Sequence, residues 1–306
     1  MRRNAPRMAT LARVAVLQPY RLDLTVGVLR RFSTNVVDRT DASGRYVRAL
    51  ECAGGAAFLA VHQPEPGELE VEIAAPAGED ARMLALAQRM LGVDRNIAGF
   101  YAAARKLSWL RPLAERMRGV KPPRYPSLWE ACVNAVVFQQ VSIHAAGAIL
   151  RRTIEALGPP LERDGAVLYV FPAPATLLAA SDAVLRGAGL STGKIATLRR
   201  VAAVLLAGSL DEGMLEERAT PAALELLCGI KGIGPWTAAV ILLRGLGRLD
   251  LFPQNDSGAA RSLALAAPGI AVDVEAALAT LGKWRGLLYY HLLLARLEAR
   301  GEVPPG

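Results

Sequence analysis

Leu224–Gly258 reads LELLCGIKGIGPWTAAVILLRGLGRLDLFPQNDSG, and this stretch decides the fold. An apolar helix ending near Cys228 runs into a glycine turn, Gly229-Ile230-Lys231-Gly232-Ile233-Gly234. Pro235 stands where a helix takes its first residue, because its missing N–H would have no intrahelical partner there. A second apolar helix runs to about Leu246, with Thr237 in its first turn. A polar loop then delivers one carboxylate, Asp256. The turn offers the backbone N–H groups of Gly232 and Gly234 at a helix N-terminus. Unsatisfied donors and the helix dipole together attract a phosphate there. Ile233, between the glycines, is placed to anchor the turn in the core.

The 306 residues carry 36 Lys and Arg against 28 Asp and Glu, a net charge of +8 with a pI near 9.7. The excess suits a polyanion, since each phosphate contact releases counterions, although charge alone favours nucleic acid only weakly. With 52% hydrophobic and 21% charged residues, global disorder is excluded and two or three compact domains can be filled. Cys52, Cys132 and Cys228 are far apart and form no C-x-x-C pair, so neither a zinc site nor a disulfide framework is read. The reduced cytosol is the natural compartment for such a chain. No apolar run of about 18 residues suggests a membrane span. The opening MRRNAPRMATLARVAVL is not expected to be a signal peptide, because Val14–Leu17 is short and Gln18-Pro19-Tyr20 breaks it. Residues before about Met8 read as a disordered lead or the product of an upstream start codon.

Residues 12 to 75 read as mixed α/β. A strand over Ala12–Leu17 and a helix over Leu24–Phe32 precede β-rich runs at Thr34–Arg39, Arg45–Cys52 and Ala56–Gln63. Glu68–Ala74 (ELEVEIA) alternates strictly, as a strand with one wet face does. From about Gly78 the period becomes helical, with helices over Asp80–Leu91, Ile97–Lys106 and Arg111–Arg118. Three prolines make Lys121–Pro126 a linker. Ser127 and Glu130 form a capping box for a helix over Leu128–Gln139, apolar nearly all round and therefore buried. Further helices are expected over His144–Leu157, Ala175–Ser181, Asp182–Ala188 and Ile195–Leu206. Thr220 is expected to cap the first hairpin helix, and Gly258–Ala266, Asp273–Leu281 and Lys283–Arg300 finish the chain. The class is α+β: an antiparallel sheet domain with one helix (1–78), then a mostly helical body of two lobes. One lobe is 127–248 and the other 79–126 plus 249–306, with the site in the cleft between them.

GIKGIGPWTAA resembles the hairpin of the helix-hairpin-helix DNA glycosylases, and the Asp in FPQNDSG resembles that superfamily's catalytic aspartate. The pattern is most similar to the DNA-3-methyladenine glycosylase II branch, and the likeness is strong from about Ser127 to His291. Phe138-Gln139-Gln140-Val141-Ser142 resembles the segment whose turn enters the DNA minor groove and fills the gap left by a flipped nucleotide. Gln140, beside Gln139, stands at the usual apolar wedge position. An amide stacks less well than Leu there, but can hydrogen-bond the orphaned base. The plainer reading is that both glutamines only end a helix. Gly189–Lys194 precedes a helix start, where Ser191 and Lys194 either contact a second phosphate or, with Thr192, simply cap.

Breaking an N-glycosidic bond makes the sugar oxocarbenium-like and requires a flipped nucleotide. The resemblance implies that Asp256 supplies the negative group, stabilising that charge or steering water to C1′. Asp256 is equally suited to cap the helix after it, and both roles can hold at once. In bifunctional members of the superfamily, a Lys in the second hairpin helix attacks C1′. The matching residue here is Trp236, and Lys231 lies before the turn, so a monofunctional enzyme without lyase activity is expected. Trp236 and Trp284, which resembles the family's second pocket tryptophan, would attract electron-poor alkylated purines by stacking and cation–π contact. Core packing is the alternative for both.

The resemblance thus implies a monomer acting on duplex DNA with alkylated bases in base excision repair. It implies a bacterial cytoplasmic, nucleoid-associated location, no metal site and no cofactor beyond a possible monovalent cation on hairpin carbonyls when DNA is bound. Three cysteines cannot hold the four-cysteine iron–sulfur cluster some of these enzymes carry. Two alternatives remain: a lyase-active glycosylase for other damaged bases, which the missing Lys opposes, and a non-catalytic DNA-binding module, which would dispense with Asp256.

Overall fold

The structure, a computed structural model, describes residues 9–163 and 165–304; the lead read before Met8 lies outside the described residues. β1 (Thr10–Ala15), α1 (Leu22–Arg30), β2 (Arg39–Thr40), β3 (Tyr46–Cys52), β4 (Gly55–Glu65) and β5 (Glu68–Ala74) come first. The strands form one antiparallel sheet in the order β1-β5-β4-β3-β2. In β5 the alternation is complete: Leu69, Val71 and Ile73 are buried and the residues between them half-exposed. The β-rich run Thr34–Arg39 is not a strand. The Asn35 side chain accepts the Val37 and Asp38 N–H groups, making a local turn that leaves only Arg39 and Thr40 to pair.

The helical part holds α2 (Asp80–Leu91), α3 (Ala98–Ala104), α4 (Arg111–Arg116), α5 (Leu128–Val137) and α6 (Ile143–Leu157). A hairpin of β6 (Pro160–Arg163) and β7 (Ala166–Tyr169) follows, which sequence patterning missed. It covers the second face of the sheet, packing Leu168 and Val170 on Val47, Ala49, Phe58 and Ala60. Next come α7 (Pro174–Ala179), α8 (Asp182–Gly187), α9 (Thr192–Leu206), the unforeseen α10 (Glu212–Glu216), α11 (Thr220–Cys228) and α12 (Pro235–Ile241). A π-helical turn, Leu242–Leu246, extends α12, and α13 (Ser257–Ala266), α14 (Val274–Leu281) and α15 (Arg285–Glu298) complete the fold.

All ten residues of α5 are buried. It shares one apolar core with the inner face of the sheet, α2, α9 and α12. A second core joins α1 to α3, α4, α14 and α15. Ser127 caps α5 by accepting the Glu130 N–H, but the Glu130 carboxylate does not complete a capping box. It turns to Arg48 of β3, whose guanidinium also holds Asp38, at 2.5 and 2.6 Å. This buried triad ties the sheet to α5. Thr220 is the first residue of α11 and not its cap; its hydroxyl bonds Asp250. The proline linker is extended yet buried, with the Tyr125 N–H donating to the Arg244 carbonyl.

Candidate active site

The hairpin between α11 and α12 is held tightly. Gly232 has φ +103°, which a side chain resists, and a Cβ there would run into Thr197 Oγ1 of α9. Ile233 is buried, while Lys231, Gly232, Gly234 and Pro235 are exposed, so the turn shows its backbone to solvent. Gly234 is the extended N-cap residue and Pro235 opens α12. Gln139 joins this hairpin to the turn after α5: its Nε2 donates to the Gly232 carbonyl (3.0 Å) and to Thr237 Oγ1 (2.7 Å).

Gln140, at the tip of that turn, has φ +53° and is exposed beside exposed Val141. Among the described residues, the only other non-glycines at positive φ are Arg31 and Asn255, both at +57°. All three line the same cleft, of about 1160 Å³. Left-handed backbone in non-glycine residues costs free energy and concentrates at functional sites. The cleft is bounded by the hairpin, the turn from Phe138 to Ser142, the start of α13 and one face of α15.

Asp256 sits half-buried in this cleft, on the residue before α13. Its Oδ1 accepts the Ala259 N–H at 2.7 Å, so it caps α13. Its Oδ2 accepts the Trp236 indole N–H at 2.9 Å. The carboxylate is thereby fixed at a helix N-terminus, where the dipole favours negative charge. Trp236 lines the cleft as well as holding Asp256. Arg296 of α15 comes close: a Cβ built on Gly258 would lie 2.6 Å from Arg296 Nη1 and 2.9 Å from Asp256 Oδ1. Arg31 lies over the Phe138 ring at 4.5 Å. Loss of water, with the Asp256 charge adding, raises the pKa of the Tyr289 phenol in the same wall. Asp256 is the one carboxylate among the lining residues, against Arg31, Arg261, Arg296 and Arg300. The wall therefore combines one positioned anion with a surplus of cationic groups suited to phosphates.

Gln139, Gln140, Gly232, Ile233, Gly234, Trp236, Thr237 and Asp256 thus share one cleft. Trp284 does not line it. Its indole packs over Gly99 of α3, leaving no room for a Cβ there, and the Lys283 ammonium stands 5.3 Å from its ring. Lys194 is also elsewhere: its Nζ donates to the Val137 carbonyl at the end of α5, and burial lowers its pKa. Ser191 caps α9 by accepting the Lys194 N–H. Arg31, Tyr289 and Arg296 were not read from sequence as parts of the site. Arg31 comes from the sheet domain and Arg296 from the last helix, and no spacing rule joins them to Asp256. The one local hint was the polar Arg296 on an otherwise apolar face of α15.

No family model matches the chain. Over 224 residues it is 32% identical to a Mycobacterium tuberculosis protein named "Probable bifunctional transcriptional activator/DNA repair enzyme AlkA", covering 71% of this chain and 43% of that protein. It thus spans less than half of that relative's length. The Escherichia coli DNA-3-methyladenine glycosylase 2 is 27% identical over 244 residues, covering 78% of this chain and 82% of that one. The solved 3-methyladenine DNA-glycosylase of Archaeoglobus fulgidus superposes with a TM-score of 0.78 at 24% identity, over 93% of this chain and 98% of that one. With the sheet, the hairpin and Asp256 where they stand, the chain belongs to the helix-hairpin-helix DNA glycosylase superfamily, in its DNA-3-methyladenine glycosylase II branch.

Proposed function

We propose that this protein flips alkylated bases out of duplex DNA and hydrolyses their N-glycosidic bonds, as the first step of base excision repair. The observation that carries this reading is the Asp256 carboxylate, held by the Trp236 indole and the Ala259 N–H in a cleft it shares with the hairpin and Gln140. The exposed backbone at Gly232 and Gly234 receives a phosphate. Gln140, pushed outward by its left-handed backbone, fills the space the flipped nucleotide leaves. Asp256 stabilises the oxocarbenium-like sugar while water adds at C1′. Trp236 offers a ring to the base; Trp284 acts outside the cleft, as packing.

No lyase step belongs to this mechanism, because Trp236 stands where a nucleophilic Lys would be needed. Borohydride treatment during turnover is expected to trap no protein–DNA adduct; a trapped adduct would refute this part. The hairpin carbonyls of Ile230 and Gly232 each accept one hydrogen bond. Each keeps a second lone pair for a monovalent cation when DNA is bound, testable as a potassium-dependent gain in DNA affinity. The protein acts as a cytoplasmic monomer on nucleoid DNA, a state that light scattering with and without duplex tests. Among the described residues no helix is long and apolar enough to cross a membrane. The direct test of the activity is release of bases from methylated duplex DNA, compared between the wild type and Asp256→Asn. Equal release by both would refute the role given to Asp256.

A further inference from the structure

Gln139 spends its side chain on an element far from its own. It follows the end of α5, and its backbone N–H still closes that helix on the Val136 carbonyl. Its side chain leaves the helix and donates from Nε2 to the Gly232 carbonyl at 3.0 Å and to Thr237 Oγ1 at 2.7 Å. A carbonyl can only accept, so the amide nitrogen has to face Gly232, and the orientation of the side chain is fixed. Other contacts mount each turn separately on α9. The Lys194 ammonium donates to the Val137 carbonyl, Arg200 donates to the Lys231 carbonyl, and Thr197 packs against Gly232. Gln139 instead ties the two turns to each other.

That tie leads on to the carboxylate. Gln139 precedes Gln140, the exposed tip with left-handed backbone. Thr237 is 2% exposed, so the far end of the tie sits in the core. It follows Trp236, whose indole N–H donates to Asp256 Oδ2 at 2.9 Å. The tip and the carboxylate are thus joined through Gln139, Thr237 and Trp236 by side-chain hydrogen bonds and single peptide links. A duplex held by its phosphate at the hairpin then meets a tip that is already in place, and a misplacement of about 1 Å at a reacting centre costs roughly 100-fold in rate. We propose that Gln139 is a positioning residue that sets the register between the turn entering the duplex and the catalytic carboxylate, so that seating Gln140 brings C1′ of the flipped nucleotide to Asp256. This inference rests on the glycosylase reading above and adds to it a link between wedge entry and the reaction.

The test uses the full-length protein as wild type, Gln139→Met, Gln140→Ala and the double variant, with single-turnover release from a duplex carrying one 7-methylguanine. Gln139→Met keeps the length of the side chain and loses its donors. It is expected to slow release about tenfold or more at saturating protein, with the loss in the rate and not in the affinity for DNA. If Gln139 acts by placing Gln140, the double variant is expected to be no slower than Gln140→Ala alone. Losses that multiply, or a Gln139→Met rate equal to the wild type, would overturn the proposal. Thr237→Val removes one acceptor of the same tie and is expected to slow release in the same direction, which keeps the test open should Gln139→Met not fold. Wedge entry is read without turnover on a duplex in which 2-aminopurine adjoins a tetrahydrofuran abasic analogue. Saturating wild type is expected to change its fluorescence, and Gln139→Met to produce less than about half of that change. Equal changes with both proteins, or none with the wild type, would overturn the proposal. A wild type that changes the fluorescence but releases no base refutes the glycosylase reading, and the comparison of the two proteins on the abasic duplex then still decides about Gln139.

Discussion

At the scale of single residues, Asp256 spends one oxygen on capping α13 and offers the other to the Trp236 indole. A hydrogen bond to a charged group is worth about 1.5–3 kcal/mol. Trp236→Phe keeps an aromatic ring and loses that donor. It is expected to slow base release roughly ten- to hundredfold with little change in DNA affinity, measured by single-turnover kinetics. Rates matching the wild type would mean that the indole N–H does not position the carboxylate. Asp256 and Trp236 were both legible in the sequence because they sit at fixed distances from one glycine turn. Arg31, Tyr289 and Arg296 were not, since they meet only through tertiary packing. Trp284 was read toward the cleft from its resemblance to the family's second pocket tryptophan, yet its ring is drawn over Gly99 of α3.

At the scale of elements, the hairpin works because its two inner glycines do different jobs. Gly232 needs a left-handed backbone against Thr197, whereas Gly234 has φ −95° and open space around its Cβ position. Gly232→Ala is expected to cost about 1–3 kcal/mol of stability from backbone strain alone, before its clash is counted. Gly234→Ala is expected to cost less than about 1 kcal/mol while weakening duplex binding, because the new methyl stands where a phosphate approaches. Thermal melts and DNA titrations of the two variants separate these effects; equal melting points would contradict them. Elements with an unbroken period, such as β5 and α2, coincide with their sequence boundaries. The run at Thr34–Arg39 failed because one Asn side chain satisfies the backbone locally. β6 and β7 were missed because two four-residue strands, the first opening on Pro160, leave too little alternation to read.

At the scale of the whole molecule, the sheet does not stand apart from the helices: it shares a core with α5, and the buried triad of Asp38, Arg48 and Glu130 crosses that contact. The second core holds a titrating group. Burial lowers the His291 pKa from 6.5 to about 4, so the folded protein keeps it neutral. Between these values the unfolded chain binds a proton that the folded one does not. The contribution is therefore complete above pH 6.5 and lost as pH falls toward 4, by roughly 3 kcal/mol in all. Urea midpoints at pH 7 and 4.5 are expected to show this loss, and His291→Gln is expected to reduce it; an equal loss in the variant would place the titration elsewhere. Overall class and helical order were readable from periodicity, whereas the sharing of cores between distant segments was not, because it depends on which faces meet. The reaction itself is most directly tested on methylated duplex DNA, with base release and DNA binding measured together for the wild type and Asp256→Asn. The expected result is release by the wild type, a loss of roughly 100-fold or more in the variant, and unchanged binding. Equal release by the two proteins, or none by either while both bind, would contradict it.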